Sequence, residues 1–378
     1  MDIPSYHLNF VNEEYDENGM LKKFSIKYPE NFNYAYDIID KYGELEPDRR
    51  ALMWVDLEGN EKLFTFGDLS RLSTKAANMF RGWGIKKGDK VMLVLKRNYQ
   101  YWYAILGLMK IGAIAIPATH MLTTKDFQYR FQAADVSAII ATAHADVARL
   151  AELAPYTGEA GELLGDRHLR VKAIVNGTYE GWRDFDEEIE NYPDTMERIP
   201  TRADELHLLY FTSGTTGYPK MVVHDHAYGL AHIQTAKHWQ NVDPDGIHLT
   251  ISDTGWAKAA WGKLYGQLAM GTCVFVYDFD KFIPENMLKI MEKYRITTFC
   301  APPTMFRFFI KEGIGKYDLS SLKYCTIAGE ALNPEVFNKW YEYTGIKLME
   351  GFGQTESTAI LANITGMTPK PGSIGKPS

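Results

Sequence analysis

Short apolar runs alternate with stretches of helical period along most of this chain, and no other feature narrows its fold as much. Runs at 90–95, 113–116, 138–141 and 171–175 read as buried strands, as do later ones at 248–252, 273–277, 297–301, 324–328 and 347–350. Helical stretches separate them. In 65–83 the residues Leu69, Leu72, Ala76, Met79 and Phe80 fall on one stripe; 124–134, 259–270, 284–294 and 334–344 also read as helices, the acidic 184–191 as a surface helix, and the Gly- and Glu-rich 156–169 as a loop. A helix between consecutive strands returns the chain to the same edge, so the sheets are predicted to be mainly parallel and covered on both faces. The predicted class is α/β, with two packed, mainly parallel subdomains layered αβαβα. A polar stretch at 193–204 marks the expected boundary: 1–203 forms the first subdomain, with an irregular N-terminal arm, and 204–378 the second.

With 378 residues, 46% hydrophobic and 24% charged, the chain can bury a large core. A net charge of −7 provides no basic footprint for nucleic acid. The start, Met-Asp-Ile-Pro-Ser, lacks a basic stretch followed by an apolar one, so no signal peptide is expected. The greasiest segment, 101–118, is interrupted by Gly107, Lys110, Gly112 and Pro117 and falls short of the roughly 20 apolar residues that span a membrane. Cys273, Cys300 and Cys325 are scattered and odd in number. They are expected as buried thiols in a reducing compartment, taken to be the cytoplasm, and not as a disulfide framework or zinc site.

One loop stands apart from this scaffold. Residues 212–220 read Thr-Ser-Gly-Thr-Thr-Gly-Tyr-Pro-Lys and lie between two apolar runs, 206–211 and 221–223. Gly214 and Gly217 let the backbone approach a bulky anion. The hydroxyls of Thr212, Ser213, Thr215 and Thr216 and the free loop amides can donate to phosphate oxygens, and Lys220 adds a point charge. The Walker A pattern fails on spacing, because only two residues separate the glycines and Tyr218-Pro219 precede the lysine. The loop is therefore expected to join two strands and to bind a polyphosphate through its own amides. A bland Ser/Thr/Gly-rich surface turn is the alternative.

Two further loops follow strands. Gly329-Glu330-Ala331 ends the 324–328 run, and Gly351-Phe352-Gly353-Gln354-Thr355-Glu356 ends the 347–350 run. Ligands of open α/β sheets bind beyond the carboxyl ends of strands, so the three loops are expected to meet. There Thr355 can donate to a phosphate and Glu356 can bind Mg²⁺, which uses one or two carboxylates plus substrate phosphates. The competing reading is a helix N-cap at Thr355 or Ser357. Trp256 is weighed evenly between pocket and core, and Trp261 is expected in the core. Lys258 and Lys263 are read as a solvated helix face, and His224 and His226 as strand and turn residues.

Together these stretches resemble the adenylate-forming acyl-CoA synthetase family. The resemblance rests on 212–220, on Gly329-Glu330-Ala331-Leu332, on 351–356 and on Pro371-Gly372-Ser373-Ile374-Gly375-Lys376-Pro377. The stretches 72–78, 102–104, 124–126 and Ser252-Asp253-Thr254-Gly255-Trp256 look most like the medium-chain branch. The resemblance implies activation of a small carboxylic acid with ATP to acyl-AMP, and then transfer of the acyl group to CoA. It implies that Thr212, Ser213, Gly214, Thr215, Thr216, Gly217 and Lys220 grip the β- and γ-phosphates. Gly329, Glu330, Ala331, Glu350, Gly351 and Phe352 would flank the adenine, with Gly353 and Gln354 completing the nucleotide site. Thr355 would touch the α-phosphate and Glu356 would hold Mg²⁺, while Trp256 and Gly329 would border the acid. Thr216 and Glu356 are thus the expected catalytic residues, and a homodimer is expected.

Members of this family continue past the motif that ends here near Ser378, with an aspartate for the ribose, a hinge and a mobile lid domain carrying a lysine. This chain is therefore expected to be the N-terminal portion of a longer enzyme, binding ATP weakly and forming no thioester alone. Two rival expectations share the nucleotide motifs: an aryl-CoA ligase of the benzoate type, and a nucleotide-binding module without catalysis.

Overall fold

In a computed structural model, residues 3–158, 162–163, 168–212 and 217–378 are described. The apolar runs form strands and gather into two large sheets. The seven-stranded sheet runs, in spatial order, Lys220–Asp225, Leu206–Thr212, Ile114–Pro117, Lys90–Val94, Ala138–Thr142, Val171–Val175 and Arg183–Asp184. The nine-stranded sheet runs Lys376–Pro377, Ala359–Ala362, Leu348–Gly353, Tyr324–Ile327, Thr298–Ala301, Ile247–Thr250, Cys273–Asp278, Arg50–Asp56 and Glu61–Thr65. Most interior pairs are parallel, as the helical crossovers demand; antiparallel pairs close three of the four sheet edges, and the short Arg183–Asp184 strand joins the fourth in parallel.

Alternation along each strand sorts the core into layers. Val91, Leu93, Ala115 and Leu208 of the first sheet face the same central cluster as Leu52, Trp54, Val274 and Val276 of the second. Their neighbours Met92, Val94, Ile116 and Ile139 face an outer cluster, and Val55, Leu249, Phe275 and Phe299 face another. Helices Phe66–Gly82 and Gln100–Ile111 fill the middle layer, the second buried along its whole length. A capping box between Thr65 and Asp68 starts the first of them. The αβαβα layering follows.

Sheet membership crosses residue 203 in both directions. The early strands Arg50–Asp56 and Glu61–Thr65 pair in the nine-stranded sheet, and the later Leu206–Thr212 hairpin completes the seven-stranded one. Local patterning cannot show this, because it is blind to which sheet a strand joins.

Four local expectations change. The arm over 1–30 is not irregular: Val11–Tyr15 and Leu21–Ile26 form a hairpin. The single helix expected over 259–270 breaks at Leu264 into Ala257–Lys263 and Tyr265–Ala269. The acidic helix at 184–191 is one turn, Phe185–Glu188, followed by a 3-10 turn. The 347–350 strand continues to Gly353, and no helix follows Thr355; a turn leads into Ala359–Ala362, so the capping alternative falls. Most of the loop expected over 156–169 lies outside the described residues. All three cysteines are buried and free, and no helix among the described residues is long and apolar enough to cross a membrane.

Candidate functional site

At one edge of the seven-stranded sheet, Leu206–Thr212 and Lys220–Asp225 pair as a hairpin with Thr212 opposite Lys220. The loop reading as a strand-to-strand connection is correct. Its base is braced by helix Thr124–Ala134: Tyr129 stacks on Tyr218 with centroids 4.7 Å apart, and its hydroxyl donates to the Pro219 carbonyl at 2.7 Å. Gly217 has φ of 129°, which only glycine adopts without strain. Ser213, Gly214, Thr215 and Thr216 lie outside the described residues.

Across from this hairpin, Leu348–Gly353 brings Glu350 to Thr355 into the site. Gly351 is necessary there: a Cβ would lie 2.4 Å from the indole of Trp239, whose Nε1 donates to the Met349 carbonyl at 3.1 Å. Gly351 is thus strand backbone pressed against a tryptophan. Glu350 is buried, and burial pushes its carboxyl up, although the Leu332 amide donates to it at 3.3 Å. This bond ties the 329–332 turn to the strand. Gly329, with φ of 103°, makes that turn at the end of Tyr324–Ile327.

The third wall comes from the loop before helix Ala257–Lys263. Thr254 N–H donates to the Lys96 carbonyl at 3.1 Å, and Gly255 packs so tightly on residues 118 and 119 that a Cβ would lie 2.2 Å from the Thr119 nitrogen. The loop thereby joins the two sheets and presents Trp256, which is 55% exposed and so belongs to the rim and not the core. A cavity of about 470 Å³ opens between the walls, lined by Trp256, Lys258, Trp261, Gly329 to Ala331, Glu350 to Thr355 and Ile374. Trp261, expected in the core, is buried and lines it too, packing against Trp239 at 5.7 Å.

A hydrogen bond joins the hairpin to the cavity lining. His224 Nε2 lies 2.8 Å from the Thr355 carbonyl, and its ring stacks on Tyr228 at 3.7 Å. The strand that begins at Lys220 is therefore bonded, through the His224 side chain, to the turn that holds Thr355, and the two do not lie on opposite sides of the molecule. His226 is buried and stacked on His207 at 4.8 Å. Glu356 is exposed beside Thr355, and no cluster of three His, Cys, Asp or Glu side chains suited to a metal occurs among the described residues. A lone carboxylate fits Mg²⁺ only if phosphates supply further ligands.

Two lysines correct the sequence reading. Neither Lys258 nor Lys263 lies on a solvated face. Lys258 Nζ donates to the Ala328 carbonyl at 3.2 Å, and burial draws its pKa down. Lys263 Nζ donates to the Ser252 carbonyl at 2.8 Å; burial, helped by the nearby Arg97 charge, draws it down to about 7. The available signal was the small-residue run Ala257, Ala259, Ala260, which lets a helix be approached from every side.

A family model described as "AMP-binding enzyme" matches residues 39–378. Over 377 residues the chain is 36% identical to the human mitochondrial acyl-coenzyme A synthetase ACSM3, covering 98% of this chain and 62% of that protein. To the mouse mitochondrial acyl-coenzyme A synthetase ACSM5 it is 37% identical over 359 residues, 93% of this chain and 60% of that one. The chain thus spans about three fifths of the length of these relatives. Among solved structures, an acyl-CoA synthetase from Brucella canis superposes with a TM-score of 0.81 at 26% identity, over 92% of this chain and 62% of the other. The anthranilate CoA ligase AuaEII in complex with anthranoyl-AMP superposes at 0.82 and 24% identity, over 93% and 65%, a likeness of fold.

Proposed function

The chain belongs to the AMP-binding enzyme family, and from that premise we propose that it forms the ATP- and acid-binding part of a ligase. The reaction is activation of a short- or medium-chain carboxylic acid to acyl-AMP with loss of pyrophosphate, followed by acyl transfer to CoA. The observation that carries this reading is the convergence of segments 256–261, 328–331 and 350–355 on one cavity, with the Lys220 strand bonded to it through His224. The cavity wall is mostly apolar, which suits an aliphatic acid chain.

In this proposal the amides and hydroxyls of the loop from Thr212 to Gly217, with Lys220, hold the β- and γ-phosphates. Gly329 to Ala331 and Glu350 to Phe352 flank the adenine. Thr355 meets the α-phosphate, placing phosphorus for in-line attack by the acid's carboxylate while pyrophosphate leaves. Glu356 would hold Mg²⁺, whose charge offsets that on the phosphates. Trp256 and Gly329 border the acid, and Trp256, projecting from the rim, shields it from water. A homodimer belongs to the proposal, as does a reducing compartment. The cytoplasm, or the mitochondrion in which the relatives named above are placed, would suit three buried free thiols.

Calorimetric titration of the chain with non-hydrolysable acyl-sulfamoyl adenosines tests this. Butyryl and octanoyl forms are expected to bind more tightly than the benzoyl form. Preference for the benzoyl form would establish the aryl ligase instead. Binding of ATP with indifference to every acyl group would establish a nucleotide module, and binding of no nucleotide would end the reading.

A further inference from the structure

We propose that His224 is a positioning residue that sets the distance between the two halves of the phosphate site, resting on the nucleotide reading above. The side chain comes from the strand Lys220–Asp225, four residues beyond Lys220. Its Nε2–H donates to the backbone carbonyl of Thr355, at 2.8 Å. That carbonyl lies between the residue assigned to the α-phosphate and the residue assigned to Mg²⁺. The bond crosses from one sheet to the other: Lys220–Asp225 edges the seven-stranded sheet, and Thr355 follows a strand of the nine-stranded sheet.

The imidazole is not free to swing. Tyr228 stacks on one face at 3.7 Å, and His232 meets Tyr228 edge-on at 4.5 Å, so the ring is held by the first turn of helix Tyr228–Gln234. The Asp225 side chain caps the same turn, accepting from the Tyr228 amide at 3.0 Å. His224 is 8% exposed, and burial keeps its pKa low against the opposing pull of the Thr355 carbonyl and of the Asp225 and Glu356 charges. It is therefore a neutral donor at neutral pH and adds no positive charge that would compete with a cation at Glu356. The bond sets where Thr355 and Glu356 stand relative to Lys220, and phosphoryl chemistry is sensitive to such placement.

The test uses three variants of the chain, with MgATP and ATP in excess EDTA as the probes in calorimetry and urea unfolding as the stability control. His224→Gln can keep a donor near the Nε2 position, whereas His224→Ala and His224→Leu cannot. The wild type is expected to bind MgATP. His224→Ala and His224→Leu are expected to weaken MgATP binding about tenfold, the effect of a lost buried hydrogen bond, with a smaller loss for metal-free ATP. His224→Gln is expected to recover most of the MgATP affinity. Wild-type MgATP affinity in His224→Ala overturns the proposal, even if that variant unfolds at lower urea. Equal weakening of MgATP and metal-free ATP also overturns it, as does a His224→Gln variant no better than His224→Ala. A wild type that fails to bind MgATP overturns the underlying nucleotide reading, an outcome distinct from these.

Discussion

Lys110 and Lys263 are both buried cations in a helix between the two sheets, yet their surroundings differ in kind. Lys110 sits deep in the middle layer, where Nζ donates to Asp40 at 2.7 Å, Thr74 at 2.7 Å and the Ser70 carbonyl at 3.2 Å. Burial lowers its pKa, and Asp40 opposes that fall. Lys263 lies behind the cavity wall with one carbonyl partner and no ion pair among the described residues, and Arg97 adds to its discomfort. The paired lysine cements a crossing of helices. The unpaired one is a cost to folding that sits beside the candidate site, where perturbed groups concentrate. Glu13 repeats the first pattern at the N-terminal hairpin, bonded to Lys237 at 2.6 Å, His238 at 2.8 Å and Tyr15 at 2.8 Å.

The comparison can be broken most forcefully at Asp40. Asp40→Ala leaves Lys110 buried with hydroxyl and carbonyl partners alone, and urea unfolding at neutral pH should show a loss of about 3–5 kcal/mol. A loss below about 1 kcal/mol would mean that the pair is neutral in the fold and that the two lysines are not opposites.

Glu13 is next in size. Burial alone would raise its pKa, but the hydrogen bonds from His238, Lys237 and Tyr15 outweigh burial and hold it at about 2. A depressed carboxyl contributes stability above its unfolded pKa, and that contribution is lost as pH falls from about 4.5 towards 2. Glu13→Gln should cost about 2 kcal/mol at pH 7, a figure reduced for partial solvent screening, and the gap to wild type should fall to roughly half at pH 3 and close only as pH drops to about 2 and below. Parallel unfolding curves at pH 7 and pH 3 check this.

Lys263 sharpens the contrast with the opposite sign. With a folded pKa of about 7 against an unfolded value near 10.5, the unfolded chain binds the extra proton between those pH values. Wild-type stability should therefore gain relative to a Lys263→Met variant as pH rises from 7 to 10, by up to about 1 kcal/mol per unit. At pH 6 the variant should be the more stable of the two, by about 1 kcal/mol. A pH-independent difference would show that Lys263 finds compensation that its single hydrogen bond does not reveal.

These contrasts also mark where the sequence was readable. Helix Phe66–Gly82 was legible because its stripe and its Thr65 cap are local, and so were most parallel strands, whose apolar runs are short and cleanly bounded. That the loops at 329–331 and 351–355 line one cavity was legible because unusual residues crowd into few positions after strands. Lys258 and Lys263 were misread because a helical lysine looks the same whether its neighbours are water or a second sheet. His224 passed as an ordinary strand residue because its partner is 131 positions away.

What the sequence determined alone was the kind of fold, since apolar period dictates element type, and the crowding of hydroxyls, glycines and a lysine into nine positions marked the loop to which phosphate binding is proposed. Only the tertiary structure decided which strands share a sheet, that Gly351 must yield room to Trp239, and which buried charges have partners. The reason is range. Backbone preference acts over a few residues, whereas burial, packing and pairing depend on neighbours that only the folded chain brings within bonding distance.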